Sequence, residues 1–529
     1  MSSASSATGT GSPRLAHPDA AGAGPARLTR VLTWASATGI GSSILIMIVA
    51  SAARFSPAVP SMPWPPGVPP VEIAGHLPVA ATDAGLWAAA VLGGGGVMAG
   101  LAAVARGARY PAWLLLAGGL VAVAAFTVLP PAGSTDALSY ATFGRIAALG
   151  HNPYVMTPNQ LARSGDPLGR LAIQLWRGSG SLYGPLATLE QWAAAHLGGT
   201  SAARIVFWLK LWNAILFVGM AGALDRLLRS DPARRARVHL LWTVNPLVLW
   251  ALVAAGHLDM LPAAASFAGL AIVRPRRAGD GTGLAGPLGR PGVPVVTALA
   301  AGMLVGVAAD FMLTYLLLGL ALAWALRRSA AALTAAMAGL GVVVVPGYLW
   351  AGRPLIRSLL ARRGKATAYD FYQFLSFRHQ LSPAQDLLVV LLFAALAVLL
   401  LWRLPDAVPD LPAIQPALAI GIAWLFVWYY QLPWYSAMII GLLALYPASR
   451  LDYAVIGQMA ASTFALVPGG STFPPPHGWL TTFWNDTLTA LTPAVLLAAV
   501  VALVWLCVSG AWTIGPPRAG LLPDVPVPG

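Results

Sequence analysis

Apolar stretches of about 20 residues, the length that a helix needs to cross a bilayer, recur along most of this chain. They lie near residues 31–52, 84–104, 111–130, 203–225, 238–254, 258–273, 293–309, 311–326, 331–349, 385–402, 412–430, 435–447, 453–468 and 487–508. This pattern predicts an all-α polytopic membrane protein with about 12 to 14 transmembrane helices. It leaves little room for a separate soluble domain.

The composition agrees with this fold class. Hydrophobic residues make up 57% of the 529 residues and charged residues 9%, whereas a soluble domain carries about 25% charged residues. In a membrane protein the net charge of +14 reports orientation and contact with anionic lipid, so no nucleic-acid partner is implied. Cys507 is the only cysteine, which excludes a disulfide within one chain. We expect disordered tails over 1–30 and 509–529, with the transmembrane domain between them over 31–508.

The arginines set the expected orientation. If the N-terminus is cytoplasmic, the inside segments hold Arg106, Arg109, Arg226, Arg229, Arg234, Arg235, Arg237, Arg274, Arg276, Arg277, Arg290, Arg327 and Arg328, as the positive-inside rule requires. The longer outside segments are then 54–82, 131–200 and 350–384, and long ordered loops usually carry function. We therefore expect a multi-pass plasma-membrane protein whose active site faces the extracytoplasmic side. Aromatic residues in 131–200 favour short interfacial helices there.

Asp136 is the first candidate for chemistry. It follows the third apolar stretch, and helical spacing places Tyr140 on the same face. A carboxylate at the mouth of the bundle can act as a general base on a sugar hydroxyl. The structural alternative is that Asp136 caps a short helix after Ser134 and Thr135.

Two further acidic positions lie near membrane depth, where ionisable groups are costly and usually functional. His257 and Asp259 are too close in sequence to form a helical metal-ligand pair, so we interpret them as a polar wall for substrate or for Asp136. A tight turn capped by Asp259 is the alternative. Asp310 is flanked by apolar residues. It is either a second active-site carboxylate or the structural partner of a buried cation such as Lys210.

The segment 350–384 is basic on the side where positive charge is disfavoured. Its cations include Arg353, Arg357, Arg362, Arg363, Lys365 and Arg378. Arginine grips phosphate oxygens in bidentate fashion and lysine offers a point charge, so these residues predict binding of a lipid phosphate. A solvated face or an inverted topology remains the alternative.

Several weak motifs follow one another in a recognisable order. They are Asp136 with Ser139-Tyr140, Gly150-x-Asn152-Pro153-Tyr154, Tyr183-Gly184-Pro185-Leu186, Asn245-Pro246-Leu247, Gly256-His257-x-Asp259 and Pro433-Trp434-Tyr435. Over about 130–440 this order resembles the GT-C glycosyltransferases, and most closely the actinobacterial polyprenol-phosphomannose-dependent α-(1→6)-mannosyltransferases that build lipomannan cores. The high Ala, Gly, Arg and Pro usage is similar to that of a high-GC actinobacterial protein.

The resemblance implies an inverting transfer of a sugar, mannose by this likeness, from a polyprenyl-phosphate donor to a glycan or glycolipid acceptor, with Asp136 as the base. The candidate substrate-binding residues are Tyr140, Arg145, Asn152, Tyr154, Tyr183, His257, Asp259, Asp310, Trp434 and Tyr435. The candidate phosphate-binding residues are Arg357, Arg362, Arg363, Lys365 and Arg378. No cofactor is required, because a lipid phosphate is already a competent leaving group, although a divalent metal between Asp136 and the phosphate is compatible with this chemistry.

Two other classes remain open. A secondary transporter suits the number of spans and Asp310, but it predicts polar groups at the bilayer midplane, whereas this sequence concentrates them in outside loops. A lipid-linked sugar ligase or polymerase would differ in using a polyprenyl-diphosphate donor.

Overall fold

The computed structural model of the chain describes residues 20–62, 64, 69–73, 75–275, 292–375, 380–468 and 479–512. Within these ranges the regular elements are helices, and the β structure is confined to two isolated bridges, Ala53 with Ile73 and Lys365 with Gln380. The prediction of an all-α polytopic membrane protein is confirmed.

The α-helices follow one another from the N-terminus. The first are α1 (Ala20–Ala52), α2 (Val79–Ala105), α3 (Ala112–Val128), α4 (Asp136–Ala148), α5 (Pro158–Arg163) and α6 (Pro185–Gly198). Then come α7 (Ala202–Leu227), α8 (Pro232–Val238), α9 (Pro246–Val248), α10 (Met260–Ala271), α11 (Val295–Phe311), α12 (Leu316–Leu326) and α13 (Ala330–Leu360). The last are α14 (Pro383–Arg403), α15 (Ile414–Val427), α16 (Ala437–Leu445), α17 (Arg450–Ala465), α18 (Leu480–Asp486) and α19 (Thr492–Ser509).

Each of the predicted apolar segments coincides with helix. In the described part of the chain, seven helices are long and apolar enough to cross a membrane: Ala26–Ala52, Val79–Ala105, Ala202–Leu227, Pro232–Ala254, Ala330–Leu360, Pro383–Arg403 and Leu480–Ser509. Shorter apolar helices are Ala112–Val128, Met260–Ala271, Val295–Phe311, Leu313–Leu326, Ile414–Val427 and Pro433–Leu445. The short helices surround the candidate site described below.

Helix α1 begins at Ala20, inside the region expected to be a disordered tail over 1–30. Alanine, leucine and arginine, which are frequent in this stretch, are strong helix formers, so the helix extends well before the apolar run starts. The rest of the expected tails, residues 1–19 and 513–529, lies outside the described residues.

The first residues of the segment 350–384 are helical, because α13 continues to Leu360. Gly352 breaks the helix with a φ of 64°, a conformation that favours glycine, and Pro354 suits the first turn of the helical piece that follows. Leu355 is buried against Tyr154. The break therefore redirects the chain toward the segment 131–200.

The segment 131–200 forms short helices, as predicted, but α4 does not lie on a surface. Residues 137–144 of α4 are all buried, and Gly144 faces the Gln191 carbonyl of α6 so closely that a side chain at this position would clash. The spans on either side of Asp310 are separate helices, since Met312 adopts an extended conformation between them (φ −140°, ψ 118°).

Helix α16 is anchored at its end by Arg237 of α8. The Arg237 side chain is 2% exposed and pairs with Asp452 through nitrogen–oxygen distances of 2.6 and 2.9 Å. It also donates to carbonyls at the end of α16, those of Leu443, Ala444 and Tyr446. Helix ends leave carbonyls without intrahelical partners, so this one guanidinium closes the helix whose other end carries Trp434.

We expect Arg237→Met to lower the free energy of unfolding by about 3–5 kcal/mol, because it leaves Asp452 charged and buried without its partner. Thermal unfolding in detergent measures the loss. Arg235→Met is the matched control, since the Arg235–Asp225 pair is 32% and 20% exposed and such pairs contribute about 0–1 kcal/mol. Equal melting temperatures for the two variants would contradict the anchoring role of Arg237.

Candidate active site

Asp136 is the first residue of α4, at the point where the chain leaves α3. Its backbone N–H donates to Ser134 Oγ at 3.1 Å. Ser134 therefore caps this backbone group, and the Asp136 side chain is not needed as a helix cap. The Asp136 side chain is 19% exposed. Burial raises its pKa to about 6, while a hydrogen bond from Ser134 and the positive charge of Arg362 act in the opposite direction. A carboxyl of this pKa can exchange a proton near neutral pH.

His257 faces Asp136 from the segment that precedes α10. Its Nδ1 atom lies 3.5 Å from Asp136 Oδ2 and 3.2 Å from the Tyr140 hydroxyl. Burial lowers the pKa of His257 to about 3, so the imidazole is neutral at physiological pH. The ring therefore orients Asp136 and Tyr140 without adding charge.

Tyr183 extends this contact toward α6. Its hydroxyl donates to the Tyr140 hydroxyl at 3.3 Å, and the two rings meet edge to face at 5.2 Å. Burial is the main cause that raises the pKa of both phenols, so both remain neutral hydrogen-bonding groups.

The backbone around His257 is fixed by two residues of α7. Gly256 has a φ of 71°, and an added Cβ atom would approach the Lys210 side chain to 3.0 Å. Asn213 donates to the His257 carbonyl at 2.6 Å. Lys210 donates to the Leu129 carbonyl at 2.6 Å, so its ammonium ties α7 to the end of α3. These contacts give His257 one position.

Asp259 lies at the N-terminal end of α10 without a side-chain capping bond. It is 1% exposed, and neither carboxylate oxygen has a hydrogen-bond partner within the described chain. Burial raises the pKa of Asp259, and negative charge on Asp136 adds to the effect. A buried polar group of this kind is usually satisfied, so Asp259 has capacity for a partner from outside the chain.

Trp434 covers one face of the His257 ring. The two rings stack with centroids 3.6 Å apart and an angle of 19° between their planes. Trp434 belongs to the 3-10 turn Pro433–Ser436 that leads into α16, and Tyr435 packs against Trp424 and Tyr430. Burial raises the pKa of Tyr430 to about 12, and the negative charge of Asp136 adds to this rise. Tyr430 thus joins the site, although the motifs did not single it out.

Of the predicted phosphate ligands, Arg362 is the one whose charge acts on this cluster. It lowers the pKa of Asp136 and interacts electrostatically with Tyr183 and Tyr430. Its guanidinium lies 3.5 Å above the centre of the Trp176 ring, and the Lys365 ammonium lies 5.2 Å from the same centre. Cations on an aromatic face are held in place by the ring quadrupole. Trp176 therefore positions two cations beside the cluster.

The other predicted cations are placed differently. Arg363 pairs with Asp386 at 2.6 Å and points to solvent, with 67% of its side chain exposed. Arg357 is exposed on the last turns of α13. Arg378 lies outside the described residues.

Several predicted substrate-binding residues make structural contacts within the segment 131–200. Arg145 pairs with Asp166 at 2.8 Å, and Asn152 accepts the Tyr154 N–H at 2.9 Å in a turn. The Tyr154 hydroxyl bonds Thr188 Oγ1 of α6 at 2.8 Å. These contacts shape the segment rather than the cluster around Asp136.

Asp310 holds α6 in place. Its Oδ2 atom accepts the Leu186 N–H from the first turn of α6 at 3.0 Å, and the adjacent Phe311 carbonyl accepts the Gly184 N–H at 3.0 Å. Gly184 packs directly on the Asp310 carbonyl, which leaves no space for a Cβ atom. Asp310 thus caps a helix from another part of the chain, a role that sequence spacing could not show.

We expect Asp310→Ala to lower the free energy of unfolding by about 1–3 kcal/mol, because a buried N–H of α6 loses its acceptor. Asp310→Asn keeps an acceptor oxygen and should retain both stability and activity. Thermal unfolding in detergent and the transferase assay described below measure the two properties. An Asn variant as stable as wild type but inactive would assign the Asp310 carboxylate to the reaction.

The part of the chain that the structure describes contains no group of three His, Cys, Asp or Glu side chains arranged as metal ligands. The cluster offers one partly exposed carboxylate, a neutral imidazole, aromatic walls and a nearby guanidinium. This set can accept a proton from a hydroxyl while it stabilises negative charge on a departing group.

The comparison with protein families agrees with this chemistry. The model of the MptA_B family, described as alpha-(1->6)-mannopyranosyltransferase, N-terminal domain, matches residues 36–352, more than half of the chain. No curated protein and no solved structure matches the chain.

Proposed function

The chain belongs to the MptA_B family of alpha-(1->6)-mannopyranosyltransferases, and on this premise we propose that it moves mannose from a polyprenyl-phosphate donor to a hydroxyl of a glycan or glycolipid acceptor. The observation that carries the proposal is that the positive charge of Arg362 acts on Asp136 while its guanidinium is held on the Trp176 ring. Transfer from a phosphate donor needs a base that accepts the proton of the acceptor hydroxyl and a cation that stabilises the departing phosphate.

The reaction that we propose is a single displacement with inversion at the anomeric carbon. The acceptor oxygen attacks this carbon, and its proton passes to the Asp136 carboxylate. The bond between the anomeric carbon and the phosphate oxygen breaks, and its electron pair leaves with the lipid phosphate. With a pKa of about 6, Asp136 is ionised at neutral pH and is therefore ready to accept the proton.

Arg362 and Lys365 are the proposed phosphate ligands. Negative charge grows on the phosphate as the bond breaks, and a guanidinium fixed on an aromatic ring can stabilise it without reorganising. The stack of Arg362 on Trp176 supplies this fixed position. Trp176 follows α4 and α5 in the chain whereas Arg362 follows α13, so the phosphate site joins two distant segments.

The sugar is proposed to lie between aromatic side chains. Trp434 and Tyr435 form one wall, and Tyr183 forms another. Aromatic rings present an apolar face, and Tyr adds a hydroxyl, which together suit a pyranose ring. Asp259, whose oxygens have no hydrogen-bond partner in the described chain, is the proposed acceptor for a sugar hydroxyl or the donor of its own proton to it.

We place the site on the extracytoplasmic face of the plasma membrane. The support is the distribution of arginines: Arg106 and Arg109 lie between α2 and α3, at the end of α3 opposite to Asp136. Arg226 and Arg235 are likewise found where α7 ends and α8 begins. Under the positive-inside rule, those ends face the cytoplasm.

We expect Asp136→Asn to abolish transfer, because the amide keeps the shape but cannot accept a proton. In wild type, kcat/KM should fall about tenfold for each pH unit below a pKa of about 6, as the carboxylate is protonated. The assay uses purified protein in detergent, a radiolabelled polyprenyl-phosphate mannose and a short α-mannoside acceptor.

Asp406→Asn, a change at an exposed acid far from the cluster in sequence, serves as the control and should leave the rate and the pH profile unaltered. Unchanged melting temperature and donor binding in Asp136→Asn separate a chemical loss from misfolding. Transfer at the wild-type rate by Asp136→Asn would remove Asp136 from the reaction and leave Asp259 as the next candidate.

We expect Arg362→Gln to lower kcat/KM for the donor about 10²- to 10³-fold, the usual effect of removing one electrostatic contact to a transition state. The acid limb of the pH profile should also move to higher pH, because Arg362 lowers the pKa of Asp136. Arg363→Gln is the matched control. Its side chain pairs with Asp386, so the rate should change little and the acid limb should stay in place. Similar losses in both variants would indicate general attraction of the donor rather than a specific ligand.

A further inference from the structure

A second cleft opens beside the cluster around Asp136. Its volume is about 480 Å³, and its walls come from the end of α4, the turn that follows, one face of α6 and α13. None of its lining residues belongs to the proposed base and phosphate ligands. The cleft therefore has no role in the reaction as proposed above.

One face of α6 forms the floor of this cleft. Pro185, Thr188 and Trp192 line it at intervals of three and four residues, the spacing of a single helical face. Pro185 follows Tyr183 of the active site by two residues. The floor runs from there for about 10 Å along the helix axis, at about 1.5 Å per residue, so the cleft leads away from the site where the sugar would react.

The wall formed by α4 shows how far the cleft lies from Asp136, the proposed base. Ala147 lines the cleft on the last turn of α4, eleven residues after Asp136, which corresponds to about 16 Å of helix. This separation exceeds one sugar ring but lies within the reach of a short oligosaccharide bound in both places.

Two indole rings stand at the sides of the cleft. Trp192 stacks on His196 with centroids 5.3 Å apart, and Trp350 meets Tyr154 edge to face at 6.0 Å. Thr188 fixes the Tyr154 hydroxyl. Trp192 is 38% exposed and Trp350 64% exposed, so both rings are held by neighbours while part of their surface stays accessible.

The turn between α4 and α5 adds polar groups to the same cleft. His151 and Asn152 are exposed and line it, and Asn152 Oδ1 is engaged by the Tyr154 N–H, which leaves its amide N–H groups directed elsewhere. An apolar ring face combined with side-chain hydrogen-bonding groups matches a pyranose. Walls without these polar groups would bind a lipid chain better, because burying polar groups against an apolar chain costs free energy.

We propose that this cleft binds the acceptor glycan at sugar units behind the hydroxyl that reacts. The proposal rests on the proposed function and adds a specificity to it: the enzyme selects acceptors long enough to reach from Asp136 to Trp192 and Trp350. A single mannose would occupy only the site at Asp136.

The test measures transfer to α-(1→6)-linked mannosides of one to four units, each with the donor saturating. In wild type, KM should fall as the acceptor lengthens. Trp192→Ala and Trp350→Ala should each raise KM for the longest acceptor about three- to tenfold, the size of one aromatic contact. The kinetics with the shortest acceptor should not change. Trp192→Phe should restore most of the preference for length, and Trp113→Ala, at an exposed tryptophan on α3, should have no effect.

Direct binding of the four-unit mannoside, measured by calorimetry without donor, separates the two proposals. Binding that is weakened by Trp192→Ala, in a protein that transfers no mannose, would keep the cleft and overturn the proposed function. Transfer by wild type with a KM independent of acceptor length would overturn the cleft and keep the function. Variants that raise the KM of the donor equally with every acceptor would show that the cleft holds the donor lipid instead. Neither transfer nor binding would overturn both.

Discussion

The docking of α6 on the end of α11 is the contact on which the rest of the site depends. Two hydrogen bonds fix the start of α6 against the end of α11. The Leu186 N–H donates to Asp310, and the Gly184 N–H donates to the Phe311 carbonyl. Tyr183 directly precedes this point and reaches Tyr140 and hence His257. The same helix carries the floor of the second cleft. Because Gly184 has no side chain, the backbones of α6 and α11 approach closely. Asp310, which lies in an apolar helix, thereby accepts a hydrogen bond from the first turn of α6.

The electrostatics of the site follow from uneven burial. Asp136 keeps part of its surface in contact with solvent and has a positive charge nearby, so its pKa rises only to about 6. Asp259 is almost completely covered, and this burial, together with the negative charge of Asp136, raises the pKa of Asp259 well above its ordinary value. The two carboxyl groups thus lie in different environments within one cluster, and such differences are how a site can assign separate roles to groups of the same kind.

The sequence was sufficient for the fold class, because apolar length and periodicity are local patterns. Each apolar stretch coincides with helix, and the motifs around Asp136, Tyr183, His257 and Trp434 named residues that the structure brings together. Tertiary contacts decided what the patterns could not. Six cations in one segment look alike in sequence, and only packing on Trp176 distinguishes Arg362 from Arg363, which pairs with Asp386. Likewise, the continuation of α13 beyond Gly352 depends on Leu355 packing against Tyr154, a contact between residues about two hundred positions apart.

Two short helices beside the site are shielded from the membrane by the rest of the protein. The helical stretch Pro433–Leu445 has Trp434 at one end and the contacts of Arg237 at the other. It is only about 20 Å long, whereas the hydrocarbon core of a bilayer is about 30 Å thick. The helix Met260–Ala271 is similarly short. Each residue of Ala437–Leu445 is buried and no residue of Met260–Ala271 is exposed, so these short helices are surrounded by protein and need not match the thickness of the bilayer. The proposed site can therefore lie at the end of a helix too short to cross the bilayer, because neighbouring helices and not lipid cover that helix.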